Sequence, residues 1–135
     1  MERIDWNPSF SVGVELFDRQ HARIVDMINL LISDPGATVR SETISELLDR
    51  LTKYADDHFR AEEELLEEHG YPGLARQKAE HNAYRIKIVA LCQDTISHED
   101  SVPVELLTFM TDWWIEHISK TDMQYRPFLA SRGVK

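Results

Sequence analysis

Hydrophobic and polar residues follow one another along this chain with the three-to-four-residue period of amphipathic helices, four times over. The first stripe joins His21, Ile24, Val25, Ile28, Leu31 and Ile32; Asp18 is placed to cap the helix and SDPGAT (Ser33 to Thr38) to end it. The second helix is expected from near Ser41 to Gly70, with Ile44, Leu47, Leu48, Leu51, Ala55, His58, Glu62 and Leu65 on one side. GYPG (Gly70 to Gly73) combines a helix stop and a helix start. The third helix is then expected from about Leu74 to Ser97, striped by Leu74, Gln77, His81, Tyr84, Ile88 and Leu91. After SHEDSVP, Pro103 suits the first turn of the fourth, whose stripe is Leu106, Met110, Trp113, Trp114, His117 and Thr121.

Outside the stripes, the first dozen residues, with Trp6, Pro8 and Gly13, read as an extended arm that lays Trp6 on the domain surface. The tail YRPFLASRGVK reads as a short segment broken by Pro127. No strand pattern competes for more than a few residues. Four helices with short connections predict an all-α fold, an antiparallel up-down-up-down four-helix bundle with an extended N-terminal arm. Residues 1–135 form one domain, long enough to bury a core without disulfides.

Composition narrows the partners. A formal charge of -9 argues against nucleic acid or an anionic membrane surface as the main partner. The single cysteine, Cys92, cannot form an internal disulfide and suits a cytoplasmic protein; four residues after Ile88, it reads as a buried, inert thiol. No stretch approaches the roughly 20 apolar residues of a membrane span, and MERIDWNPSF lacks the apolar core of a signal peptide. The acid-rich EEELLEEH reads as solvated helix surface.

The chemistry lies on the stripes themselves. Each helix places one histidine on its apolar side: His21, His58, His81 and His117. Glu62 follows His58 by one turn, so imidazole and carboxylate point the same way. A single histidine at such a position is ordinarily a hydrogen-bonded core residue. Four of them, one per helix and with a carboxylate, are hard to explain independently.

Helix heights test whether they meet. At about 1.5 Å per residue, His58 lies roughly 16 Å from the lower end of its helix and His81 roughly 12 Å from the start of the next. His81 is roughly 24 Å from its helix's finish, and His117 roughly 21 Å from the beginning of the fourth helix. His21 and His58 come out at roughly 18 and 25 Å from their shared connection, a looser match. All four fit one layer of the bundle. Neutral imidazoles with hard carboxylates suit iron, manganese or zinc, and no thiolate cluster is present. In HISKTD, Asp122 follows His117 by five residues, which in a regular helix turns it about 140° away. It reaches the layer only through a π-bulge or a loosened last turn.

These elements carry a resemblance that spans nearly the whole chain. The opening VGVELFDRQH after Trp6, HFRAE as HxxxE, GYP, a histidine eleven residues after Gly70, and DWWIEHISKTD as HxxxxD together resemble the hemerythrin family, in the form of a single-domain bacteriohemerythrin. The resemblance implies a non-haem di-iron site that binds dioxygen for carriage, storage or sensing. Its cofactor would be two iron ions bridged by carboxylates and an oxo or hydroxo group. Glu62 and Asp122 would bridge, His21 and His58 would serve one iron, and His81 and His117 the other. A redox or oxygen-consuming protein would be its partner. An enzyme of the oxidase, peroxidase or nitric-oxide-handling kind and a metal-storage module are the competing readings.

Two positions depart from the family. Where the family's HxxxH supplies a further imidazole, this chain has QKAEH, with Gln77. Three readings stand: Gln77 ligates iron through its amide oxygen, it hydrogen-bonds a water or hydroxide at a vacant position, or the site is impaired or takes another metal. Neither His69, beside the turn, nor His98, in SHED, replaces it. A vacant position would favour oxidase chemistry over reversible carriage. The second departure is Trp114, bulkier than the aliphatic residue more usual in the family, and three residues from His117. It either fills the core or gates the path of oxygen to the cofactor.

Overall fold

The structure is a computed structural model and describes residues 3–34 and 36–135. Helices α1 (Glu15–Ile32), α2 (Glu42–Glu68), α3 (Leu74–Ile96) and α4 (Val102–Glu116) follow one another through short connections. Each packs on its successor and α4 closes back on α1, which makes the antiparallel four-helix bundle that the stripes predict. A π-helical turn (His117–Thr121) and a 3-10 turn (Asp122–Gln124) continue α4 into a short α5 (Arg126–Ser131). No helix among the described residues is long and apolar enough to cross a membrane.

Helix ends follow local chemistry. At the end of α2, Gly70 adopts φ 68°, its N–H bonding Glu67 O at 3.1 Å while Tyr71 N–H bonds Leu66 O at 2.9 Å. This is a Schellman turn, and the left-handed residue it needs is a glycine. The end of α3 repeats the pattern with His98 at φ 56° (His98 N to Thr95 O, 3.1 Å; Glu99 N to Asp94 O, 2.9 Å). His98 is exposed loop, as expected, and takes no part in any cluster of metal-binding side chains found among the described residues. His69 is half-buried at the C-cap of α2.

Cys92 is half-buried where the sequence reading expects a buried thiol, and three further details differ. Asp18 does not cap α1, because the helix begins a turn earlier; its carboxylate accepts from Val12 N–H (2.9 Å) and Ser11 Oγ (2.6 Å), pinning the arm instead. Farther up, Asn29 pairs both ways with the Ile4 backbone, at 2.7 and 2.6 Å. Second, Leu66 is the fully buried residue near the end of α2, while Leu65 is half-buried. Third, Pro127 does not break the tail; it sits in the first turn of α5, where its missing N–H removes no helical bond.

The core is divided. A large apolar cluster fills one end of the bundle, from Leu31, Val39, Ile44, Leu91 and Val102 up to Phe59, Tyr84 and Trp114. A smaller one of Val12, Val14, Phe17, Leu66, Tyr125 and Leu129 closes the other. Along α1 the only side chain of the layer between Phe17 and Ile24 is His21, and along α2 His58 and Glu62 fall between Ala55 and Leu66. The polar layer is thus sealed between two apolar plugs.

Candidate metal centre

Helices α1, α2 and α3 and the π-helical turn that continues α4 each deliver one histidine to that layer. His21, His58, Glu62, His81 and Asp122 are fully buried, with Gln77 and His117 at 1 % exposure. The π-helical turn is what brings Asp122 in. One extra residue per turn lets a side chain five positions after His117 share its face, as the HxxxxD spacing requires.

The layer has two halves that share both carboxylates. In one half, His21 Nε2 lies 2.9 Å from His58 Nε2 and 3.2 Å from Asp122 Oδ2, and His58 Nε2 lies 3.3 Å from Glu62 Oε2. In the other, His81 Nε2 lies 3.1 Å from Glu62 Oε1, and His117 Nε2 lies 3.0 Å from Asp122 Oδ1 and 3.9 Å from Glu62 Oε1. Each carboxylate therefore turns one oxygen to each half. Two donor groups compact enough for an ion result: His21, His58, Glu62 and Asp122, and Glu62, His81 and His117.

The directions of these groups match a cation better than a hydrogen-bond network. His117 Nε2 and Asp122 Oδ2 lie within 3.0 to 3.2 Å of oppositely charged atoms, yet neither makes a bond of hydrogen-bond geometry. Groups that converge on a common centre, not on each other, leave this signature. Buried polar atoms are otherwise almost always paired. With hard carboxylates and imidazoles and no thiolate, the donor set fits iron.

Outer partners orient the ligands. His81 Nδ1 donates to Glu63 Oε2 at 2.8 Å and His58 Nδ1 to Gln20 Oε1 at 2.5 Å, which leaves each Nε2 lone pair facing inward. Glu80 lies 3.6 Å from His117 Nδ1 and accepts from Thr121 Oγ1 at 3.0 Å. Tyr125 donates its hydroxyl to Glu62 Oε2 at 3.0 Å. Aromatic rings wall the layer. Phe59 stacks on His81 (3.9 Å, 9°) and Trp113 on His117 (4.4 Å, 13°), while Trp114 stands 6.0 to 6.4 Å from His21, His58 and His117.

Without metal, burial and mutual charge set the protonation. Burial opposes a charge on His21, but the neighbouring Asp122 and Glu62 carboxylates prevail and raise its pKa to about 9. His117 is raised well above its ordinary value in the same way, burial being outweighed by Asp122. Burial lowers His58. Glu62 is held well below the usual carboxylate range and Asp122 is lowered too, as the surrounding imidazoles overcome burial.

The structure gathers every residue the sequence singled out, Gln77 and Trp114 included. The spacing did not single out Gln20, Glu63, Glu80, Tyr125 or Phe59. Gln20 neighbours His21 in sequence but serves His58, and Glu63 neighbours Glu62 but serves His81. Such cross-helix partners carry no periodic signal, and Glu63 lies in EEELLEEH, which the sequence assigns to solvated helix surface.

Comparison with known proteins agrees with this geometry. The model of the hemerythrin HHE cation-binding domain matches residues 12–129. The chain is 35 % identical to the bacteriohemerythrin of Methylococcus capsulatus, over 97 % of this chain and 100 % of that one. It is 33 % identical to that of Stenotrophomonas maltophilia, over 93 % and 80 %. A solved structure of wild-type hemerythrin superposes with a TM-score of 0.83 at 32 % identity, covering 93 % of this chain and 97 % of the other. The shared-carboxylate layer, the bundle that holds it and these matches together make the chain a member of the hemerythrin family.

Proposed function

We propose that this chain is a non-haem di-iron protein that binds dioxygen, in the carriage, storage or sensing of oxygen. The observation that carries the reading is the sharing of both buried carboxylates between two sets of imidazoles. In this assignment His21 and His58 would hold one iron and His81 and His117 the other, with Glu62 and Asp122 offering a carboxylate oxygen to each. When bound, a reduced iron pair supplies the electrons that let dioxygen be held reversibly.

The chain's own residues do the remaining work. Gln20 and Glu63 fix the tautomers of His58 and His81 and keep their Nε2 atoms aimed inward. Tyr125 anchors Glu62 by its hydroxyl hydrogen bond. Phe17, Phe59, Trp113 and Trp114 line the imidazoles with apolar surface and exclude bulk water. Trp114, fully buried beside three of the four imidazoles, either fills the core there or limits the passage of a small apolar ligand. The lone Cys92 supports a cytoplasmic setting, and a redox or oxygen-consuming protein is the natural partner of such a site.

Anaerobic reduction of iron-loaded protein followed by rapid mixing with oxygen tests the reading. About two irons per chain and an oxygenated spectrum that bleaches reversibly under argon are expected. Iron near zero after loading with ample iron would overturn the site. Two irons that oxidise at once, with no reversible phase, would move the chain to the oxidase reading.

A further inference from the structure

The amide of Gln77 occupies the one position of the layer where the family supplies another imidazole, and it is 1 % exposed. Gln77 and His81 are one helical turn apart on α3, so both point into the same half of the layer. One end of the amide lies 3.2 Å from Glu62 Oε1 and 3.3 Å from Asp122 Oδ1. The other end lies 3.4 Å from the carbonyl oxygen of Thr121. Two orientations, half a turn apart, fit this space, and only their hydrogen bonds distinguish them.

With the NH2 group inward, the amide donates to both carboxylates. With the oxygen inward, the NH2 group donates to Thr121, and the oxygen faces two carboxylate oxygens at the same 3.2 and 3.3 Å. The inward oxygen offers these two carboxylate oxygens no proton, and the three acceptors repel one another. A cation among them reverses the sign, because each lone pair becomes a ligand. His81 Nε2 and His117 Nε2 approach these same two carboxylate oxygens, at 3.1 and 3.0 Å. The oxygen-inward orientation therefore completes a set of two imidazoles and three oxygens around one centre.

We infer that the Gln77 amide is a metal-dependent two-position ligand: its NH2 group bonds Glu62 and Asp122 in the metal-free protein, and metal turns its oxygen inward while Thr121 receives the NH2. The inference rests on the di-iron reading above. Its anchor suits the role, since Thr121 ends the same π-helical turn that delivers Asp122. Carboxylate and amide donor are thereby fixed to one short piece of backbone. In the metal-free protein the NH2 group adds a donor to Asp122 Oδ1 and to Glu62 Oε1, which His81 Nε2 already approaches at 3.1 Å.

Zinc, which is redox-inert and diamagnetic, separates this from its alternatives. Titration of metal-free protein with zinc should give two ions per chain. In isotope-labelled protein, saturation should shift the Gln77 Cδ resonance and bring its NH2 protons into contact with Thr121. Q77L should weaken one of the two zinc ions by about 10- to 100-fold, the scale of lost support at a metal ligand, and spare the other. Q77H, which supplies an imidazole, should keep both tight and guards against a misfolded Q77L. Wild-type protein that binds two zinc ions while its NH2 protons stay on the carboxylates, or unchanged affinities in Q77L, would overturn the inference alone. Fewer than two zinc ions in the wild type would overturn the site reading and this one with it.

Discussion

Six of the layer's donors were legible as single residues because helical spacing fixes direction: an imidazole on an apolar stripe must face its neighbours. Their outer partners were not, since Glu63 reaches His81 across the α2–α3 interface and Gln20 reaches His58 across α1–α2. Glu63→Ala removes the acceptor for His81 Nδ1, and zinc affinity should drop about 10- to 100-fold in a calorimetric titration. An unchanged affinity would show that Phe59 stacking alone orients His81. Protonation gives a second expectation, for the metal-free protein. His21 is raised to about 9, so its charged form stabilises the fold fully below its unfolded value of 6.5 and loses that contribution as pH rises through about 9. His117, also raised, acts in the same direction. His58, lowered, changes stability only below 6.5, and the depressed Glu62 and Asp122 only in acid. Thermal unfolding of the metal-free chain should therefore shift to lower temperature between pH 6.5 and 9; a flat profile would contradict the buried imidazolium at His21.

At the scale of elements, the stripes placed all four helices to within a few residues, and the misses have local causes. Asp18 was a capping residue by composition, but Val14 already begins the helix, so the carboxylate turned to the arm. Pro127 looked like a breaker because proline ends helices more often than a reader can see it start one. The π-helical turn was legible only as a demand made by HxxxxD, not as a propensity of the residues in it. The two Schellman turns make a matched pair for measurement. His98 stands in left-handed backbone at φ 56° where α2 uses Gly70. His98→Gly should stabilise the protein by up to about 1 kcal/mol, and Gly70→Ala should destabilise it by about 1 kcal/mol, in urea unfolding. Equal shifts of the same sign would mean that side-chain contacts, not backbone conformation, govern these ends.

The whole molecule is a polar layer clamped between apolar plugs, and Trp114 belongs to both. Its indole stacks on Phe59 (5.6 Å, 19°) in the large cluster and meets His117 edge-on at 6.2 Å (88°). A smaller side chain there would leave a void next to His21, His58 and His117. Trp114→Ala should destabilise the fold by about 3–5 kcal/mol, the range for emptying a buried aromatic site. Trp114→Phe keeps a ring and much of the volume, so it should retain the fold while thinning the wall beside the imidazoles. If the indole only fills space, the phenylalanine variant should bind oxygen and autoxidise at wild-type rates. If it also limits passage, both rates should rise together in Trp114→Phe and further in Trp114→Ala, because the void opens the route for oxygen and for water alike. Stopped-flow oxygen binding and the decay of the oxygenated spectrum read the two rates on one sample. A rise in autoxidation without a rise in oxygen binding would mean that Trp114 governs the water around the layer and not the path of the gas.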